Sequence, residues 1–124
     1  MITESTDLDR LAQELTAVID RVAATFGEGA LRTVAGELDC DPARPGVLTC
    51  WQYGVRLERP VNAERRLVEL VVPTLERDGW QVRDRSTALD LVARCSRAGA
   101  DFTVHVARSG AGVAIVGSTR CVTP

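Results

Sequence analysis

Residues 88–119 read ALDLVARCSRAGADFTVHVARSGAGVAIVGST, and this stretch decides the fold. Side chains alternate between two faces along a strand, so period-two apolar runs mark half-buried strands. In ALDLVARC, Leu89, Leu91, Ala93 and Cys95 share one face. In DFTVHVA, Phe102, Val104 and Val106 point inward, and Thr103, His105 and Ala107 point outward. AGVAIVGS is apolar on both faces, as expected of a central or covered strand. The connections SRAGAD and RSGAG are short and carry glycine, so the three strands predict an antiparallel meander.

Working towards the N-terminus, WQVRD (80–84) is a further short alternating strand. Before it, AERRLVELVVPTLERDG reads as a helix. Asn62 is its expected cap, Leu67, Leu70, Val71 and Leu75 form its inward face, and Gly79 stops it. Pro73 lies inside it and predicts a kink or a 3₁₀-like last turn. VLTCWQYGVRL alternates, with Trp51, Tyr53, Val55 and Leu57 on one side and Cys50, Gln52, Gly54 and Arg56 on the other. LRTVAGELDC reads less clearly, as a short strand leading into a turn that holds Pro42, Pro45 and Gly46. The chain begins with a helix whose stripe is Leu8, Leu11, Leu15, Val18 and Val22, capped by Thr6 or Asp7 and ended by Gly27.

The expected architecture is therefore α+β. Two helices pack on one face of a mainly antiparallel sheet of four or five strands, in the order helix-strand-helix-strand-strand-strand-strand. One domain over residues 1–124 is expected, with residues 1–5 disordered or foreign to the native chain.

Composition narrows the class. The chain is 45% hydrophobic and 26% charged, the balance of a soluble globular protein. All fifteen basic residues are arginine, yet they are scattered among acids and the net charge is −2. Nucleic-acid binders gather their cations into a patch, which disfavours that partner class. No apolar run approaches the ~20 residues that cross a bilayer. Charges at Glu4, Asp7, Asp9, Arg10 and Glu14 exclude a signal-peptide core in the first residues.

Four cysteines, Cys40, Cys50, Cys95 and Cys121, have no C-x-x-C spacing, and the single histidine cannot complete a regular zinc site. Two disulfides are expected. The Pro/Gly turn between Cys40 and Cys50 favours that pair. Pairing the last two strands brings Cys121 level with the turn after Cys95, which favours Cys95–Cys121. Each bond would stabilise the fold by about 2–4 kcal/mol. The second-ranked set is Cys50–Cys121 with Cys40–Cys95. Disulfides place the chain outside the cytoplasm; four free thiols would place it inside.

From Trp51 onward, the order of WQYGVRL, a helix ending LERDGW, a charged hairpin, FTVHV and GVAIVGSTRCV resembles small extracytoplasmic, LppA-like lipoproteins of high-GC Gram-positive bacteria. The residues that carry the resemblance are Gly79, Trp80, Gly117, Ser118, Thr119, Cys121 and Val122, within residues 51–122. It implies a membrane-anchored domain outside the cytoplasm and transfers no catalytic residue. The pattern departs at the N-terminus, where no lipobox cysteine stands, so membrane attachment would run through a lipid anchor absent from this chain.

No enzyme motif emerges, and neither a cofactor nor a metal is expected. His105 has no second ligand spaced to help it. Ser118 and Thr119 lack a nucleophile elbow and a base. Asp39 and Asp41 fall short of a calcium ligand set, and Gly110, Gly112 and Gly117 match no phosphate loop. Glu64, Arg65, Arg66 and Glu69 read as a solvated helix face. The remaining candidate is the outward sheet face, with Gln52, Arg56, Gln81, Arg83, Asp90, Val92, Arg94, Thr103 and His105. Its key partner-binding residues are Gln52, Arg56, Arg83, Arg94, Thr103 and His105, since arginine is favoured in interfaces. The function expected is a non-enzymatic binding or accessory domain of the cell envelope, with a protein or envelope partner. The alternative is an immunity or inhibitor protein that occludes a toxin or enzyme.

Overall fold

A computed structural model describes residues 7–123. Thr6 and the stretch 1–5 lie outside the described residues. Helix α1 (Asp7–Phe26) leads into strands β1 (Leu31–Asp39) and β2 (Thr49–Leu57). Helix α2 covers residues 63–77 as three consecutive segments, Ala63–Arg66, Leu67–Val71 and Val72–Arg77. Then follow β3 (Gln81–Asp84), β4 (Asp90–Arg97), β5 (Ala100–Ala107) and β6 (Val113–Thr119). All pairings are antiparallel, in the order β1-β2-β6-β5-β4-β3. The α+β class and the β4-β5-β6 meander hold, but the described sheet has six strands.

The additional strand is β1. It lies on the sheet edge and is exposed along most of its length, so little burial shapes its sequence. It therefore carries no clean alternation. Its pairing also slips once, between Arg32 and Val34, which breaks the two-residue period.

The core lies between the helices and one sheet face. The predicted α1 stripe is buried, together with Ile19, Ala23 and Phe26. From Leu15 onward it meets Tyr53, Val55 and Leu57 of β2, Phe102, Val104 and Val106 of β5, and Val113 and Ile115 of β6, whereas Leu8 and Leu11 pack in a separate cluster with Val122 and Trp51. Each such side chain, once fully buried, contributes about 1.5–3 kcal/mol.

Pro73 acts differently from expectation. Residues Leu67–Val71 form a π-turn, and the Val72 amide bonds to the Leu67 carbonyl. Pro73 has no N–H for the carbonyl four residues back, and its ring crowds that carbonyl. A wider turn just before it relieves the conflict. In a wider turn, residue i+3 falls further from residue i around the axis. Leu67, Val71 and Leu75 stay buried, whereas Leu70, expected inward, is 52% exposed. Asn62 holds the cap position at φ 53°, but its side chain makes no cap bond.

The end of α2 explains LERDGW. Trp80 N–H donates to Leu75 O and Gly79 N–H to Glu76 O, with Gly79 at φ 89°. This closure needs the left-handed conformation that glycine adopts without strain. It turns Trp80 into the core, where the indole meets Phe102 edge-on at 4.9 Å. Leu89, expected inward on β4, precedes the strand and is 79% exposed. Strand β6 is central, as read, but its outward residues Ala114 and Val116 are exposed rather than covered.

Candidate functional site

Both helices lie on one face of the sheet. Tyr53 of β2 reaches Asp20 of α1, and Leu67 and Val71 of α2 share a core with Ala93 and Val104. Arg66 of α2 donates to the carbonyls of Thr25 and Phe26 at the end of α1. A cation there also complements the helix dipole. The alternate residues of every strand point to the other face, which no helix covers among the described residues.

The ladder fixes three rows across this open face. One runs Leu31, Arg56, Ala114, His105, Val92. The second runs Val34, Gly54, Val116, Thr103, Arg94, Arg83. The third runs Gly36, Gln52, Ser118, Asp101, Ser96, Gln81. Thus Gln52, Arg56, Gln81, Arg83, Val92, Arg94, Thr103 and His105 all share this face. Asp90, opposite Ala107, lies on it too. Val92 is the exception in accessibility, being buried.

Two features give the face chemistry. Arg83 and Arg94 stand directly opposite each other on neighbouring strands, and both are exposed. Like charges so placed repel, and an acidic group bound between them would relieve that. Beside them lies a shallow depression of about 300 Å³, lined by Gln52, Arg94, Asp101, Thr103, Val116 and Ser118 among others. Val116, Leu31 and Leu38 expose apolar surface on the same face, at 42%, 55% and 48%. Sequence reading missed Leu31 and Leu38, because β1 was legible only as a weak strand. It also missed Asp101 and Ser118, which the alternation around Phe102 and Gly117 could have supplied.

Comparison with protein-family models, with curated proteins and with solved structures finds no match. The chemistry must therefore be read from the residues alone.

The cysteines depart from both predicted sets. The disulfide joins Cys40 to Cys121, with Cα atoms 6.3 Å apart, and Cys50 and Cys95 are free and buried. Cys95 lies on the inward face of β4, opposite Phe102, with β5 between its strand and β6. It cannot wrap around to Cys121. Instead the C-terminal segment turns back onto β2, where Thr49 and Val122 exchange both backbone hydrogen bonds at 2.8 Å. That bridge delivers Cys121 to the β1–β2 end, beside Cys40. Cys50 is there as well: the sulfurs of Cys40, Cys50 and Cys121 all lie within 4.8 Å of one another. While two of them are bonded together, they offer no thiolate set to a metal.

Burial raises the thiol pKa of Cys50, and raises that of Cys95 to about 12. Burial also raises Tyr53, followed by its hydrogen bond to Asp20. Asp84 is lowered by hydrogen bonds from Ser86. None of these groups lines the depression. The other polar residues singled out in the sequence serve the fold. Asp39 accepts from Gly46 N–H, and Asp41 from Ala43 N–H and Arg44. Thr119 Oγ1 accepts from Trp51 N–H and donates to Arg120 O. Arg65 and Glu69 pair at 2.9 Å on the solvated side of α2. Among the described residues no helix is long and apolar enough to cross a membrane.

Proposed function

We propose that this chain is a non-enzymatic binding or accessory domain of the cell envelope, the soluble part of a small lipoprotein, which docks a protein partner on its open sheet face. One observation carries the reading. Among the described residues both helices lie on one side of a six-stranded sheet; on its bare side Arg94 of the Arg83–Arg94 pair lines one depression with exposed Val116, and Leu31 and Leu38 are exposed on β1 at the opposite edge. Arginine beside apolar surface is the composition of protein interfaces. The partner's complementary surface is acidic with an apolar centre. The Cys40–Cys121 bond fits an oxidising compartment, and the resemblance of residues 51–122 to LppA-like lipoproteins points the same way.

The test compares capture from envelope extract by the wild type, by R83E/R94E, and by R21E on the helix side. Loss of one captured protein with R83E/R94E and its retention with R21E supports the reading. Equal capture by all three, or loss only with R21E, contradicts it. If the captured protein is an enzyme or toxin inhibited in stoichiometric complex, the domain is an immunity protein using the same face.

A further inference from the structure

Three cysteine sulfurs share one end of the molecule, and only two of them are bonded. Cys40 closes β1, Cys121 follows β6, and Cys50 is the second residue of β2. Strand alternation sets Cys50 on the outward side, away from Trp51 and Tyr53, yet it is only 6% exposed. The Thr49–Val122 bridge decides which sulfur it faces. Because those two residues pair, Cys121, one before Val122, comes across from Cys50, one after Thr49, and the β2–β6 ladder resumes at Gln52–Ser118 with its register shifted by one residue. The Cys50 and Cys121 sulfurs lie within 4.8 Å of each other. Cys121 thus has two sulfurs in reach: Cys40, to which it is bonded, and Cys50.

We infer that Cys40, Cys50 and Cys121 form an internal thiol–disulfide exchange site, in which Cys50 takes Cys121 from Cys40. The Cys50 thiol gives up its proton to solvent, and its thiolate attacks Sγ of Cys121. The Cys50–Cys121 bond forms as the Cys40–Cys121 bond breaks. The electron pair of the broken bond leaves on Cys40, which takes up a proton from solvent. One disulfide and one thiol stand on each side, so no oxidant or reductant is consumed. The two isomers differ at the surface. In one, the turn 41–48 is tethered to the C-terminal segment through Cys40. In the other, β2 carries the tether, and a half-buried Cys40 thiol replaces a buried Cys50 thiol. Exchange would therefore present a reactive thiol at the turn, open to mixed-disulfide formation with a small or protein thiol. The inference does not depend on the docking face.

The test incubates folded, oxidised protein at mildly alkaline pH, quenches with acid at intervals, alkylates, and maps the cross-linked peptides. The expected result is a Cys50–Cys121 peptide that grows with time, matched by alkylated Cys40, with both absent from C50S. A second variant guards against misfolding of C50S. In C40S, the remaining pair should close as Cys50–Cys121 within the monomer at high dilution. A map that keeps Cys40–Cys121 alone, a Cys40–Cys50 cross-link instead, or a C40S protein that leaves Cys50 and Cys121 reduced overturns the inference.

Discussion

Tyr53 donates a 2.6 Å hydrogen bond to the carboxylate of Asp20, joining the centre of β2 to the middle of α1. Tyr53 is the chain's one tyrosine, so its ionisation can be followed by ultraviolet absorbance. Burial, then the Asp20 bond, raise its pKa above 10, while Arg32, whose guanidinium stands 5.7 Å from the ring centre, pulls the other way. A raised folded-state pKa means the native state holds the proton more tightly. The linked stability is therefore complete below pH 10 and is lost as pH rises through the folded value. Absorbance should show Tyr53 titrating above 10. D20N should lower that value without restoring it fully, since burial remains.

The 81-residue separation of Cys40 and Cys121 makes their bond a strong constraint on the unfolded chain. Reduction, or C121S, should cost about 2–5 kcal/mol in urea unfolding. C50S should cost far less, because Cys50 stays unbonded in the major isomer. Equal losses for C121S and C50S would count against the bond as described.

Gly117 stands in the ladder between Tyr53 and Phe102, on the core side of the sheet. A methyl group there would meet the Asp101 carbonyl and approach the Phe102 Cβ at 2.5 Å. Both are backbone or near-backbone atoms that cannot step aside. G117A should destabilise by about 1–3 kcal/mol, as overpacking does. A neutral thermal melt would refute the crowding.

Cys95 is wholly buried, and its thiol pKa is pushed up to about 12 by burial. The thiolate is the reactive form. Alkylation of Cys95 at neutral pH should therefore follow global unfolding, and its rate should rise with urea in step with the loss of circular dichroism. Rapid labelling under native conditions would place Cys95 elsewhere.

The sequence made most of this fold legible, for identifiable reasons. The meander announced itself because Phe102, Val104 and Val106 alternate against glycine-containing turns. The α1 stripe was clear because one face of a long helix is fully covered. Strand β1 was obscure because an edge strand with little burial and one register slip carries no periodic signal. The disulfide was not legible because the β4–β5–β6 hairpins, taken alone, point Cys121 towards Cys95. In fact the chain leaves β6 and bridges back to Thr49. Most of the open face could be read from alternation alone. Its hydrophobic border, Leu31 and Leu38, depended on β1.

Arg83 and Arg94 oppose each other on exposed neighbouring positions. A docking role sets them against stability. R83E should stabilise the isolated domain by about 0.2–1 kcal/mol by turning a repulsive cross-strand pair into an attractive one. The same change should weaken partner binding. A thermal melt and a capture experiment on one variant read both effects. Stabilisation with undiminished capture would remove the pair from the interface.

The most direct measurement is site-specific photo-cross-linking in the intact cell envelope, with the reactive side chain placed at Thr103 or Val116 on the open face, or at Arg21 or Thr74 on the helical side. Cross-links to one protein from Thr103 and Val116, with none from Arg21 and Thr74, is the predicted result. Cross-links confined to the helical side, or none from either face, would contradict the docking account.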